Sequence, residues 1–240
     1  MGKILNKIGN IIKWVLIAFL GSSILAVVLF KYVRVPSSPL MFIRCFQQIK
    51  NGEHIRLKHS WVPLDSISPY LPLAVWASED QNFMNHNGFD LTQIEKAIEE
   101  RKSGKRNRGA STISQQTAKN VFLWPTSNWV RKGLEVYFTI LIEVIWDKHR
   151  IMEVYLNTIE MGDGIYGAEA VAWEHFGCSA KNLTRNQCAL IAASLPNPLI
   201  YDSSKPSRYM YKRQTWILRQ MRWLGSFPKK DEKVESEEKE

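Results

Sequence analysis

Glu79 and Asp80 are the residues whose setting first suggests chemistry. They close the apolar run Leu73-Ala-Val-Trp-Ala-Ser78 and precede a polar loop, Gln81-Asn-Phe83-Met-Asn-His86-Asn-Gly88-Phe89-Asp90. If the run is a helix, both acids sit at its C-terminal end, where the helix dipole favours cations. A carboxylate held there among apolar side chains has its charged form disfavoured, so its pKa should rise. That is the condition of a general acid or base. A salt bridge to one of the many basic residues is the competing explanation, because ion pairs also perturb carboxylates.

Further polar clusters follow. In Gly109-Ala-Ser-Thr-Ile-Ser-Gln-Gln-Thr-Ala-Lys-Asn120, the side chains of Thr112, Gln116 and Lys119 share one helical face, with Gln115 close by. A hydroxyl, amides and an ammonium near a helix N-terminus suit sugar or phosphate oxygens. A merely solvated face would more often carry Glu and Lys. In Arg131-Lys132-Gly-Leu-Glu135, a surface pair would contribute only about 0.3–0.5 kcal/mol. The helix continues as Val-Tyr-Phe-Thr-Ile-Leu-Ile-Glu-Val-Ile-Trp146, too apolar to lie wholly on the surface, so its charged first turn reads as a cleft wall. The last cluster runs from Lys148 to Asn157, with Glu153, Leu156 and Asn157 on one face. Two other matches carry no chemistry. Gly162-Asp-Gly164-Ile-Tyr-Gly167 fits GxGxxG but follows a helix, so it reads as a turn. Ser226-Phe-Pro-Lys229 has the SxxK spacing without its KTG or SDN companions.

The elements that must position these residues are helical from about residue 70 to 225. Pro72 fits the first turn of a helix through Ala-Val-Trp-Ala-Ser-Glu-Asp80. Asp90 with Gln93 reads as a capping box. Arg101 to Gly109 is basic, contains glycine and reads as a mobile loop. Ser111 or Thr112 caps the next helix, which stops before Pro125. Ser127 or Asn128 caps a long helix to Trp146, and Asp147 caps another. An apolar helix spans Leu183 to Leu195 and ends at Pro196-Asn-Pro198. No alternating runs suggest a large sheet, and no repeat is present. The fold class is mainly α.

The N-terminus bears on location. No charged side chain occurs between Trp14 and Phe30, and Ile11 and Ile12 extend the apolar character. A spanning helix needs about 20 apolar residues. A cleaved signal would have a shorter apolar region ending in small residues, whereas this run ends in Val-Val-Leu-Phe before Lys31. It reads as a retained anchor. Lys3, Lys7 and Lys13 precede it, which favours a cytoplasmic N-terminus and places the rest outside, away from cytosolic nucleotides. The net charge is +9, and the tail from Asp231 to Glu240 is −4, which leaves +13 on the body. Such a body suits anionic lipid or an anionic substrate, and the anchor argues against nucleic acid. The chain thus divides into an N-terminus with transmembrane helix (1–34), a connector (35–60), a catalytic domain (61–228) and a disordered charged tail (229–240). In the connector, Leu40 to Ile43 either touches the bilayer or packs in the core. Cys45, Cys178 and Cys188 have no metal-ligand spacing. Cys178 and Cys188 either pair outside the cytoplasm or remain thiols.

Taken in order, the four clusters resemble the peptidoglycan glycosyltransferases, glycosyltransferase family 51, over roughly residues 50–215. The pattern ED-x-x-F-x-x-H-x-G-F-D is met by Glu79, Asp80, Phe83, His86, Gly88, Phe89 and Asp90. The pattern GGSTITQQ-x-x-KN is met with Ala110 for Gly and Ser114 for Thr. R-K-x-x-E is Arg131, Lys132 and Glu135, and the fourth motif is Lys148 to Asn157 with Met152 for Leu. With one short catalytic domain, the chain resembles the monofunctional biosynthetic members. The resemblance implies a lysozyme-like helical fold, with lipid II and the nascent glycan chain as substrates. An acceptor 4-hydroxyl would attack the donor, inverting the α-linkage to β-1,4 and releasing undecaprenyl pyrophosphate. Glu79 would be the general base. Glu135 would organise cations or help the leaving group, and Lys119, Arg131 and Lys132 would hold the pyrophosphate. Ser111, Thr112, Gln115, Gln116 and Asn157 would hold substrate or shape the cleft. Asp80, Phe83, His86, Lys148 and Glu153 would support them. No cofactor is implied beyond an optional divalent cation, Mg or Mn, and no ligand spacing demands one. Membrane lipid and other cell-wall synthesis proteins are the candidate partners. The stretch Trp124 to Val130 lacks a basic residue that relatives often carry. The rival expectations are a lytic enzyme that cleaves the same glycan with a carboxylate pair or a carboxylate and water, and a non-enzymatic membrane scaffold.

Overall fold

The computed structural model describes residues 2–104 and 109–229. Among them are ten α-helices and three short strands, so the mainly helical expectation is met. The tail beyond residue 229 and residues 105–108 lie outside the described residues; of the stretch read as a mobile loop from Arg101 to Gly109, Arg101 and Lys102 are instead the last two residues of a helix.

Helix α1 (Gly2–Tyr32) contains the apolar stretch Asn6–Tyr32, of mean hydropathy 2.3. At 1.5 Å per residue it is long enough to cross the ~30 Å hydrocarbon layer. Its second half is docked on the rest of the protein. The Phe19 ring lies 5.8 Å from Tyr137, and the Ser23 and Tyr137 hydroxyls are 2.7 Å apart. Trp146 Nε1 donates to Val27 O at 2.8 Å. Arg150 closes the helix: it donates to Phe30 O from Nε at 3.0 Å and Nη2 at 2.7 Å, and to Val33 O at 2.6 Å. Carbonyls at a helix C-terminus lack intrahelical partners and attract cations, so one guanidinium meets both needs.

The connector contains a helix of its own, α2 (Pro39–Lys50), capped by Ser38 with Pro39 in its first position. Its first turn divides between the two expected environments: Met41 is buried, while Phe42 is exposed. Strand β1 (Lys58–His59) leads to α3 (Tyr70–Glu79). Pro72 is the third residue of α3, within the first turn, where no intrahelical N–H bond is lost. Leu71, Leu73, Ala74, Val75 and Ala77 are all buried, so α3 is apolar on every side and runs through the core.

Helix α4 (Leu91–Lys102) is capped by Asp90, which accepts from Gln93 N at 2.9 Å. Helices α5 (Ile113–Phe122), α6 (Trp129–Ile145) and α7 (Lys148–Thr158) start at Thr112, Asn128 and Asp147. Of the two residues the sequence offered for α5 and for α6, the structure takes the second each time. Strands β2 (Glu160–Gly162) and β3 (Ile165–Tyr166) form a hairpin. The sheet order is β1-β3-β2, with β1 parallel to β3. The GxGxxG match is this hairpin. Gly164, at φ +65°, could not carry a Cβ, which would fall 2.2 Å from Arg56 O. Helices α8 (Ala168–Phe176), α9 (Arg185–Ser194) and α10 (Arg208–Leu224) complete the chain. Cys178 and Cys188 are free thiols.

The core has two packed groups. Helix α3 lies against α9 and α10, and α5 lies against α6 and α7. The groups meet where the C-terminal end of α3 faces α5.

Replacing Arg150 by Met leaves the last carbonyls of α1 without that donor and Glu153 with Leu64 N alone. The expected cost is about 1.5–3 kcal/mol, read as a lower denaturation midpoint in detergent. An unchanged midpoint would show that the clamp contributes nothing to stability.

Candidate active site

Glu79 is the last residue of α3 and lines a cavity of about 310 Å³ together with Ser111 and Trp216. Each carboxylate oxygen receives one long hydrogen bond. Ser78 Oγ donates to Oε1 at 3.3 Å, and Gln116 Nε2 donates to Oε2 at 3.3 Å. Tyr155, fully buried on α7, donates its hydroxyl to Gln116 Oε1 at 3.2 Å. This leaves the amide NH₂ of Gln116 to face the carboxylate. Burial pushes the Glu79 pKa up, and Asp80 adds to the shift. The bonds from Gln116 and Ser78 and the charge of Arg213 oppose it. The upward shift expected from the sequence is therefore present, with burial as its main cause.

Asp80 does a different job. Its carboxylate accepts from His86 Nε2 and from Ile113 N, each at 3.0 Å. His86 Nδ1 accepts from Gly88 N at 3.1 Å, and Thr112 Oγ1 donates to Gly88 O at 2.6 Å. Gly88 is at φ +89°, and a Cβ there would stand 2.8 Å from Thr139 Cγ2. Lys148 Nζ donates to His86 O at 2.6 Å and to Glu143 at 2.8 and 2.9 Å, and lies 4.7 Å above the Phe83 ring. Glu143 also accepts from Ser114 Oγ. Asp80, Phe83, His86 and Lys148 thus fasten the loop after Glu79 to the start of α5.

A second polar group gathers around Glu135, which is buried. Arg131 donates to Glu135 Oε2 at 2.5 Å, and Lys132 donates to Oε1. The Lys119 pKa is lowered by burial. The Glu135 charge opposes this, and Arg131 and Lys132 add to it. The interaction is therefore not a surface pair but a cation cluster built on one carboxylate. Lys119 and Gln116 also line a second cavity of about 250 Å³, which includes Arg44 and Glu160.

Three of the expected binding residues have their polar atoms bonded within the protein, although Thr112 also lines the Glu79 cavity. Thr112 and Gln115 form the reciprocal capping box of α5 and are nearly fully buried. Asn157 has no exposed surface: its Oδ1 accepts from Val62 N, and its Nδ2 donates to Val62 O and Glu153 O. It pins residues 59–62, not a ligand. Glu153, a supporting residue, accepts from Leu64 N at 3.0 Å and from Arg150. Tyr155, Glu143 and Arg213 are site residues the sequence did not single out. Arg213 was detectable in principle, because it shares a helical face with the buried Met210 and Ile217. Ser226-Phe-Pro-Lys229 is a packing segment, with the Phe227 ring 6.0 Å from Trp76. Among the described residues no three of His, Cys, Asp and Glu gather as metal ligands. A divalent cation would draw most of its ligands from the substrate.

Helix α5 joins the two groups: Gln116 bonds the half-buried, weakly held Glu79 carboxylate, and Lys119, three residues on, interacts with the Glu135 cation cluster. Residues 46–222 match the family profile described as Transglycosylase. The chain is 57% identical over 230 residues to a biosynthetic peptidoglycan transglycosylase of Bacteroides thetaiotaomicron, covering 96% of this chain and 93% of the relative. It is 53% identical over 209 residues to one of Bdellovibrio bacteriovorus, covering 86% of this chain and 84% of the relative. It is 50% identical over 216 residues to one of Pseudomonas fluorescens, covering 90% and 88% respectively. The chain belongs to this family of peptidoglycan transglycosylases, and its helical domain has the lysozyme-like architecture expected of it.

The pKa shifts set the pH dependence of glycan transfer. If Glu79 is the base it must be ionised to accept a proton, and the burial that raises its pKa moves the acid limb above that of an ordinary glutamate. If Lys119 holds an anion it must be protonated, and the burial that lowers its pKa moves the basic limb below that of an ordinary lysine. Initial rates between about pH 4 and pH 10 measure both limbs. A rate that stays flat down to the lower limit would remove Glu79 as the titrating base.

Proposed function

We propose that this protein polymerises lipid II into β-1,4 glycan strands at the outer face of the cytoplasmic membrane, held by α1. The observation that carries the reading lies on α5. Gln116 bonds the Glu79 carboxylate, and Lys119, one turn further on, faces the Glu135 cluster. Residues three apart on a helix are neighbours, about 5–6 Å between Cβ atoms. A base and a set of leaving-group cations are thereby brought to adjacent parts of one cleft.

In this reading the growing glycan is the donor, attached through its reducing-end sugar to undecaprenyl pyrophosphate. Lipid II is the acceptor. Glu79 removes the proton from the acceptor 4-hydroxyl as that oxygen attacks the anomeric carbon from the face opposite the pyrophosphate. The new bond is β, and the C–O bond to pyrophosphate breaks with its electrons on the leaving group. Lys119, Arg131 and Lys132 stabilise that charge, and Glu135 holds two of these cations in place. Ser111, exposed beside Glu79, and Gln116 contact the sugars. A divalent cation, if used, would be held by a carboxylate of the cleft and would supply further positive charge for the leaving pyrophosphate.

The lytic alternative needs a second group to work opposite Glu79. Asp80 is already bonded to His86 and Ile113 N, and Glu135 to two cations, so neither of these carboxylates is available for hydrolysis.

Glu79→Gln preserves the size and the donor contacts but cannot accept the proton. Lipid II binding should persist while polymer formation falls by about 10²–10⁴, read as glycan product from purified lipid II with and without chelator. Undiminished polymer from this variant would sink the assignment. Shortening of preformed wall glycan by the wild-type protein, without synthesis, would favour the lytic reading.

A further inference from the structure

The cations expected to serve the active site do not serve Glu79. Arg131 and Lys132 are bonded to Glu135, and the Lys119 charge interacts with the same group. The cation whose charge acts on Glu79 comes from α10, outside the motif clusters. Arg213 Nη2 donates to Ser78 Oγ at 3.2 Å and approaches Ser78 O at 3.5 Å. The Ser78 hydroxyl lies 3.3 Å from Glu79 Oε1 and 3.4 Å from Ala192 O.

We infer that Arg213 is a positioning residue for the catalytic base, acting through Ser78 to orient the Glu79 carboxylate and keep it ready to accept a proton. The inference rests on Glu79 being that base.

The chain of donors has one direction. A guanidinium can only donate, so its bond to Ser78 Oγ occupies a lone pair and turns the hydroxyl proton away from Arg213. That proton then serves either Glu79 Oε1 or Ala192 O. When Glu79 is ionised, the carboxylate is the stronger acceptor. Aligned donors polarise one another, so a charge at the start of the chain strengthens the bond at its end. With Gln116 on Oε2, each oxygen is held by one donor and keeps a free lone pair.

Arg213 is itself fixed in place. Its guanidinium lies 5.6 Å from the Trp216 ring, and Trp216 lines the Glu79 cavity. Met210 and Ile217, on the same face of α10, are buried where that helix packs on α3 and α9. Arg213 Nε is buried without a hydrogen-bond partner among the described residues. The charged groups that act on Glu79 are Arg213 of α10 and Asp80 of the following loop, while the Tyr155 phenol of α7, its pKa raised by burial and by Glu79 itself, stays neutral. Of these only Arg213 favours the ionised form.

The test is the pH dependence of kcat and KM for lipid II, measured on the full chain in detergent. The variants are Arg213→Met, Arg213→Lys and Ser78→Ala, with Arg219→Gln on the exposed side of α10 as control. Removing the positive charge should move the acid limb of kcat upward by about one pH unit. That is about a tenfold loss below the limb, recovered as pH rises, with KM unchanged. Lysine should restore most of the shift, and Arg219→Gln should match the wild type. An acid limb that does not move overturns the inference, and so does a loss that falls entirely in KM, which would make Arg213 a substrate ligand. If Arg213→Met does not fold, Ser78→Ala decides: it keeps charge and packing, and its acid limb must also move upward. Failure of this inference is separable from failure of the base assignment. In the first case Glu79→Gln is inactive while the Arg213 variants keep the wild-type limb. In the second Glu79→Gln is active.

Discussion

A carboxylate at the end of a helix buried on every side is costly to ionise. Helix α3 is enclosed by apolar neighbours, and its C-terminal dipole and its desolvation both oppose a negative charge on Glu79. Most of the polar architecture around the cleft can be understood as a response to that placement. Gln116, oriented by Tyr155, and Ser78, bonded by Arg213, each supply one donor. Neither bond is short. The carboxylate is held well enough to keep its direction and loosely enough to take up a proton.

The same constraint explains why the charges are divided. A base paired directly with lysine or arginine would be locked in an ion pair and would lose basicity. The cleft avoids this by giving Arg131 and Lys132 their own carboxylate, Glu135, which is buried between them. Asp80, adjacent to Glu79 in sequence, is kept out of the chemistry by His86 and the Ile113 amide. Of the three acids, one is left without a strong partner, one organises cations and one fastens a loop. A carboxylate's partners, more than its nearness to the cleft, decide its role.

Helix α7 connects this chemistry to the anchor. Its Arg150 closes the C-terminus of α1, and its Tyr155 orients Gln116. One helix therefore relates the position of α1 to that of the Glu79 carboxylate. In the reading proposed above, with α1 in the membrane and a lipid-linked substrate, such a link would fix where the cleft meets the ligand.

Much of this was legible in the sequence because the signals were local. Asp90, Thr112, Asn128, Asp147 and Thr184 bond amides only three residues away, so the caps of their helices can be read from neighbouring side chains. The long uncharged run of α1 is likewise read from adjacent residues. Local reading also misled. Thr112, Gln115 and Asn157 have the chemistry of ligand-binding residues, but the first two close a capping box and the third pins a distant strand segment. Arg213 escaped notice for the opposite reason: an arginine in a basic amphipathic helix looks like solvent-facing charge. Only the packing of α10 on α3 brings it to Ser78, 135 positions away. The sequence by itself determined the helices, including a long apolar one at the N-terminus, and the family to which the chain belongs. Which cation belongs to which carboxylate was decided by tertiary structure, because that depends on contacts between helices and not on spacing within one.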